Sequence, residues 1–367
     1  MSLELGSRAG DNTSDESTYE RAVPEGSEMF SRPVVFIVGA GASAEFRMPA
    51  GGELKTKVAA AVNFGAAGTR HTADQDLYKL LTDRNKSTDY DNAGRLLADV
   101  IPSFISIDEA LNWFTSRSEI LELGKIAIVR EILTGERASR LFNASDVHSI
   151  PDADFDDTWL PHFLSMVMGS LKMEEAETAF RNVTVINFNY DRTIEHYVYS
   201  ALQRQFGLHS KEAARVLSGL KMIRPYGQVG NLPWQDAESS VEFGMASGMN
   251  DYKRLAALSQ GIRTYTEGEL VAALAATIQP QMERARMVVF LGFGFHQQNM
   301  TILRARSAES WRRVFATALD MNLNNYPTMR SSIANTVGTL QEPLLFGSTA
   351  RTLLVQLRPA IMAAAHM

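Results

Sequence analysis

The chain has no cysteine, which excludes disulfides, a thiolate nucleophile and every zinc site that depends on Cys ligands. Long apolar runs are missing as well. The longest, Leu270 to Ile278, is far too short to cross a bilayer, and the stretch from Leu353 to Met362 is broken by Gln356, Arg358 and Pro359. No basic start followed by an apolar segment opens the sequence, so nothing resembles a secretory signal and a cytoplasmic location is expected. A basic excess is also absent. The formal net charge of -6 gives no general electrostatic reason to expect direct nucleic-acid binding.

What is present fits an ordinary globular protein, with 367 residues of which 45% are hydrophobic and 21% charged. Residues 1–31 are rich in Ser, Glu, Asp and Gly and carry too few large apolar side chains to offset their ordering entropy, so a disordered tail is expected there. Folded sequence then begins with Val34-Val35-Phe36-Ile37-Val38, a continuous β-branched run that reads as a fully buried strand. Strand-like runs return at Val183 to Ile186, Leu220 to Ile223 and Met287 to Leu291. Between the first and second, the spacing of Leu54, Val58, Ala61 and Val62, and later of Ile107, Leu111 and Phe114, is helical. The pattern predicts an α/β fold with a doubly wound parallel sheet, formed by residues 32–52 and 182–367, and a helical insertion over 53–181 after the first strand.

Each predicted strand ends in a cluster of small or polar residues: Gly39 to Ser43, Asn187 to Asp191, Tyr226 to Gly230 and Gly292 to Asn299. Ligands of open parallel sheets bind beyond the carboxyl ends of the strands, so the four clusters are expected to share one crevice. Gly39, Gly41 and Ala44 match a G-x-G-x-x-G/A turn, in which missing side chains let the backbone approach a pyrophosphate. The same residues also suit a tight turn that binds nothing. An ordinary dehydrogenase needs an acid on a second strand about 20 residues further on; Lys57 to Phe64 is helical in pattern and has none. Asn187, Asn189 and Asp191 alternate along the backbone, and they either face a ligand together or cap the following helix. His196 and His296 read most simply as structural or surface histidines.

In content and order these clusters resemble the SIR2-like family, bacterial relatives of the sirtuins often found in antiphage defence. Gly39-Ala40-Gly41-Ala42-Ser43 looks like the family's GAG-x-S nucleotide loop, and Asn187-Phe188-Asn189-Tyr190-Asp191 stands where the family has T-Q-N-[IV]-D. Leu291-Gly292-Phe293-Gly294-Phe295, followed by Asn299, resembles its late glycine-containing strand end. The resemblance implies cofactor contacts from Gly39, Ala40, Gly41, Ala42, Ser43, Asn187, Gly227, Gly292, Phe293, Gly294 and Asn299, and catalytic roles for Asn189 and Asp191. It further implies a co-encoded nuclease, ATPase or Argonaute-like partner, while the long helical insertion beside the crevice, placed to cover the site or to build a subunit interface, leads us to expect a homo-oligomer.

Two departures narrow the activity. Sirtuin deacylases carry a Cys-ligated zinc module, which this chain has no residues to build. They also place a catalytic His before the glycine of an H-G pair, where this sequence has Tyr226-Gly227. A phenol needs a downward shift of roughly 3 pKa units, about 4 kcal/mol, to act as a base at neutral pH, so lysine deacylation is not expected. Cleavage of NAD to nicotinamide and ADP-ribose demands less, because nicotinamide leaves as a neutral base from a ribose that dipoles and a carboxylate can stabilise. In that reading Asn189 orients the ribose or a water, Asp191 stabilises positive charge, and Tyr226 bounds the ribose. The alternative is an inactive sensor of NAD or ADP-ribose that acts through a partner.

Overall fold

A run of five apolar residues persists in a strand when both of its faces are covered, and the strand Val34–Val38 (β1) is buried at every position. The computed structural model describes residues 30–64, 73–82, 87–236, 240–245, 251–263 and 268–366. The remaining strands are Val183–Asn187 (β2), Lys221–Ile223 (β3), Met287–Leu291 (β4), Arg313–Thr317 (β5) and Leu344–Phe346 (β6). They form a six-stranded sheet in the order β3-β2-β1-β4-β5-β6, with every pairing parallel. Val34 lies opposite Val183 on one side and Met287 on the other. The chain builds outward from β1 to β3 and then crosses back to β4, so its direction switches between β1 and β4. This is the doubly wound α/β fold expected from the alternation of strands and helices, and its crevice opens at the carboxyl ends of those two strands.

The helices are Ala40–Ala44 (α1), Gly51–Ala61 (α2), Gln75–Thr82 (α3), Ser87–Val100 (α4), Ile107–Trp113 (α5), Ser118–Ala138 (α6), Trp159–Met168 (α7), Thr193–Arg204 (α8) and Ser210–Ser218 (α9). They continue with Tyr252–Ser259 (α10), Gly268–Arg284 (α11), Gln297–Ile302 (α12), Tyr326–Val337 (α13), Ala350–Gln356 (α14) and Arg358–His366 (α15). Alternation along the strands divides the core in two. Val35, Ile37, Ile186, Val288 and Phe290 pack with residues of α2 to α6 and α10 to α13, whereas Val34, Phe36, Val185, Val289 and Leu291 pack with α7 to α9, α14 and α15. Between β1 and β2 the described residues hold helices and loops and no strand. That stretch supplies cover to both sheet faces, since α2 to α6 share one apolar cluster with the sheet and α7 belongs to the other.

Two features depart from the sequence reading. Strands β5 and β6 were not predicted, because Val314-Phe315-Ala316 and Leu344-Leu345-Phe346 are shorter than the apolar runs that signal a strand. Phe30 and Ser31, assigned to the tail, are packed: Phe30 is buried against Phe36, and the Ser31 hydroxyl donates to the Ala365 carbonyl. The rest of the predicted tail lies outside the described residues. Among those described, no helix is long and apolar enough to cross a membrane.

Candidate functional site

The crevice is built on close contact between the loops that follow β1 and β4. The Gly39 amide donates to the Leu291 carbonyl and the Gly41 amide to the Gly292 carbonyl, each at 3.0 Å. A Cβ on Gly39 would lie 2.6 Å from the Gly292 carbonyl oxygen, and one on Gly292 would lie 2.0 Å from the Ala42 nitrogen. Gly292 also has φ +57, a left-handed conformation that glycine adopts without steric cost. The glycines therefore serve first to let two backbone turns touch. The Ala42 amide turns back to the Gly39 carbonyl. Among the described residues, Ala40 in the same turn is left with no acceptor for its amide, as expected at the start of a helix.

The loop after β2 is tied to this junction through Ser43. The Asn189 side-chain amide donates to Ser43 Oγ at 2.9 Å, and Ser43 Oγ donates to Asp191 Oδ1 at 3.2 Å. Asp191 Oδ1 also accepts from the Thr193 amide, so this carboxylate does cap the start of α8 while lining the crevice. The Asn189 amide nitrogen is held by Asn187 Oδ1. Two arginines brace the loop from behind. Arg224 donates to the carbonyls of Asn189 and Asp191 while pairing with Glu195 at 2.6 Å. Arg192, fully buried, pairs with the fully buried Glu136 of α6 at 2.5 Å, and Glu136 also accepts from the Gly244 amide. Burial pushes the Asp191 carboxyl above its usual pKa, although Arg224 acts in the opposite direction.

A cavity of about 420 Å³ lies against these groups, lined among others by Gly39, Ala40, Asn189, Asp191, Tyr226 and Asn299. Phe188, Phe293 and Tyr226 form an aromatic wall, with Phe188 centred 5.0 Å from Phe293 and 5.8 Å from Tyr226. The Tyr226 hydroxyl donates to Asn299 Oδ1. From the helical layer comes Asp108, in the first turn of α5, which accepts a hydrogen bond from the Tyr190 hydroxyl. Burial pushes the Asp108 carboxyl up to about 6 and holds the Tyr190 phenol well above its usual value. His296 reaches the same cavity, with its pKa lowered by burial.

A second cavity, about 400 Å³, lies on the β5 and β6 side and is lined by Thr317 to Met321 and Ser348 to Ala350. Gly41, Gly292, Phe293 and Gly294 line both cavities. A larger groove of about 1400 Å³ runs beside β3, past Arg224, Trp234, Arg254 and Arg263. None of its lining residues comes from the loops after β1 or β4.

Of the residues predicted to contact a nucleotide, the structure brings Gly39, Ala40, Gly41, Gly292, Phe293, Gly294 and Asn299 to the first cavity, together with Asn189, Asp191 and Tyr226. Ala42, Ser43 and Asn187 are buried behind the wall and act on the residues that form it. Gly227 is not brought there. It faces the groove beside β3, and its φ of +74 and the 1.8 Å from its would-be Cβ to the Gly261 carbonyl account for the glycine. His196 is a core residue stacked on Phe243 at 4.1 Å. The sequence reading missed Asp108, Ser106, Gln298 and the whole second cavity. Ser106 to Glu109 does carry a helix-start signal, since the Ser106 side chain caps the Glu109 amide, but only helix packing brings it to the crevice. No family model matches the chain, and no curated protein is found to match it.

Proposed function

We propose that this chain is a SIR2-like protein that binds NAD across the two adjoining cavities and cleaves its nicotinamide–ribose bond, giving nicotinamide and ADP-ribose. The supporting observation is the wall of Gly41, Gly292, Phe293 and Gly294 common to both cavities at the strand switch point. A dinucleotide has the matching form, two bulky halves joined by a narrow pyrophosphate, and such ligands bind where the sheet changes direction. The pyrophosphate then lies along the glycine wall near the Ala40 amide, the nicotinamide riboside fills the cavity at Asn189, and the adenosine half takes the cavity beside Thr317 and Ser348.

The chemistry follows from the side chains in the first cavity. Asn189 donates one side-chain amide hydrogen to Ser43, and in this reading its carbonyl oxygen accepts from a ribose hydroxyl or from the attacking water. The carbon–nitrogen bond breaks with its electron pair passing to the pyridine nitrogen, and Asp191 stabilises the positive charge that develops on the ribose. Water forms the new carbon–oxygen bond, and its proton passes to bulk solvent. Tyr226 shapes the ribose wall and does not take up that proton, because its own hydroxyl hydrogen is engaged by Asn299. A role in antiphage defence and a co-encoded partner belong to the same proposal through the family resemblance, and self-association through the helical layer beside the crevice.

The test is release of nicotinamide from NAD by the purified chain, with its native partner added. Asn189→Ala is expected to lower turnover about 100-fold to 1000-fold, as loss of one preorganised polar group does elsewhere, and Tyr226→Phe to have a mild effect. Tyr226 also favours a second reading, a non-catalytic NAD or ADP-ribose sensor. Nucleotide binding without nicotinamide release, even with the partner present, selects the sensor.

A further inference from the structure

The first cavity has an unusual charge balance for a nucleotide site. Its lining includes two buried carboxylates, Asp108 and Asp191, and no lysine or arginine. His296, its one basic side chain, has its pKa lowered by burial, which favours the neutral imidazole. The two carboxylates are not equivalent. Asp191 is bonded by Ser43 and Thr193 and has Arg224 on its main chain, whereas Asp108 is met by the Tyr190 hydroxyl alone among the described side chains. Rings of Phe188, Tyr190, Tyr226 and Phe293 complete the wall. An uncompensated carboxylate beside aromatic faces attracts a flat organic cation by Coulomb and cation–π terms together.

On the dinucleotide reading above, we propose that this cavity selects the oxidised, positively charged nicotinamide ring over the reduced, neutral ring, and that Asp108 is the residue that sets this preference. Asp108 is a specificity residue in this account; the cleavage chemistry stays with Asn189 and Asp191. An ion pair at about 4 Å in a protein-like dielectric favours the cation by far more than tenfold before desolvation is subtracted, so a net preference of about tenfold or more is expected. Asp108 ionises near pH 6 in the folded chain, and the preference should therefore be present above that pH and fade below it. The titratable groups around Asp108 are Tyr190, which bonds it, Asp191, Tyr226 and His296, which line the same cavity, and Glu109, its neighbour in the first turn of α5.

Equilibrium binding of carbocyclic NAD, which keeps the pyridinium charge but resists cleavage, is compared with binding of its reduced form between pH 5.5 and 8. The wild-type chain should bind the oxidised form at least about tenfold more tightly at pH 8, with the gap narrowing below pH 6. Asp108→Asn, which retains an acceptor for Tyr190, should abolish the gap without weakening the reduced form. Should Asp108→Asn fail to fold, the wild-type pH series decides, and a preference constant from pH 5.5 to 8 overturns the assignment. Equal binding of the two forms, or a preference that survives Asp108→Asn, refutes selection while leaving dinucleotide binding intact. Binding of neither form removes both proposals.

Discussion

Asp108 and Asn189 illustrate two ways in which a polar side chain reaches a site. Asn189 was legible because it sits two residues beyond a strand predicted from its own apolar run, and the end of a parallel strand is where ligands bind. Asp108 was not, because its position depends on how α5 packs over the sheet, a non-local contact that no periodicity encodes. Its burial carries a stability consequence with a definite sign. The folded pKa of about 6 lies above the usual 3.8, so this group's contribution is most favourable below pH 3.8 and is lost as pH rises through 6, by on the order of 3 kcal/mol. Asp108→Asn should accordingly raise the denaturation midpoint at pH 8 and change it little at pH 4. Urea titrations at the two pH values check this, and a loss of stability at pH 8 would show that the carboxylate is needed for packing.

At the scale of elements, the decisive feature is contact between two turns. The glycines of the β1 loop were predicted to open room for a pyrophosphate, yet Gly39 and Gly41 are required by the backbone of the β4 loop whether or not a ligand is present. The sequence motif could not separate these causes, since either one excludes a side chain. Strands β1, β2 and β4 were legible from buried, mostly apolar runs of four or five residues, and β3 from the shorter, partly exposed stretch ending in Met222-Ile223; β5 and β6 were not, because three apolar residues do not distinguish a strand from a helix segment. The second cavity was lost with them. Gly292→Ala forces a Cβ to 2.0 Å from the Ala42 nitrogen and keeps an L-residue at positive φ, at a cost of about 1–2 kcal/mol for the conformation alone. The expected outcome is a destabilised chain that has lost affinity for both nicotinamide riboside and adenosine ligands, because the altered wall belongs to both cavities. Affinity lost in one cavity alone, measured by calorimetry with each half-ligand, would contradict a shared wall.

For the whole molecule, the sheet order follows from which strands are apolar throughout and how the chain returns, and the crevice follows from that order. The helical layer between β1 and β2 adds what the sheet lacks. From α6 it contributes Glu136, whose buried pairing with Arg192 fixes the β2 loop, and from α5 it contributes Asp108. The central claim is that both cavities form one dinucleotide site, and the most direct test is a crystal structure of the chain soaked with ADP-ribose, which offers the pyrophosphate and both riboses but no bond to cleave. The account predicts the pyrophosphate against Ala40, Gly41 and Gly292, the adenosine beside Thr317 and Ser348, and the terminal ribose against Asn189. Density for the ligand in the arginine-lined groove beside β3, with both cavities empty, would contradict it.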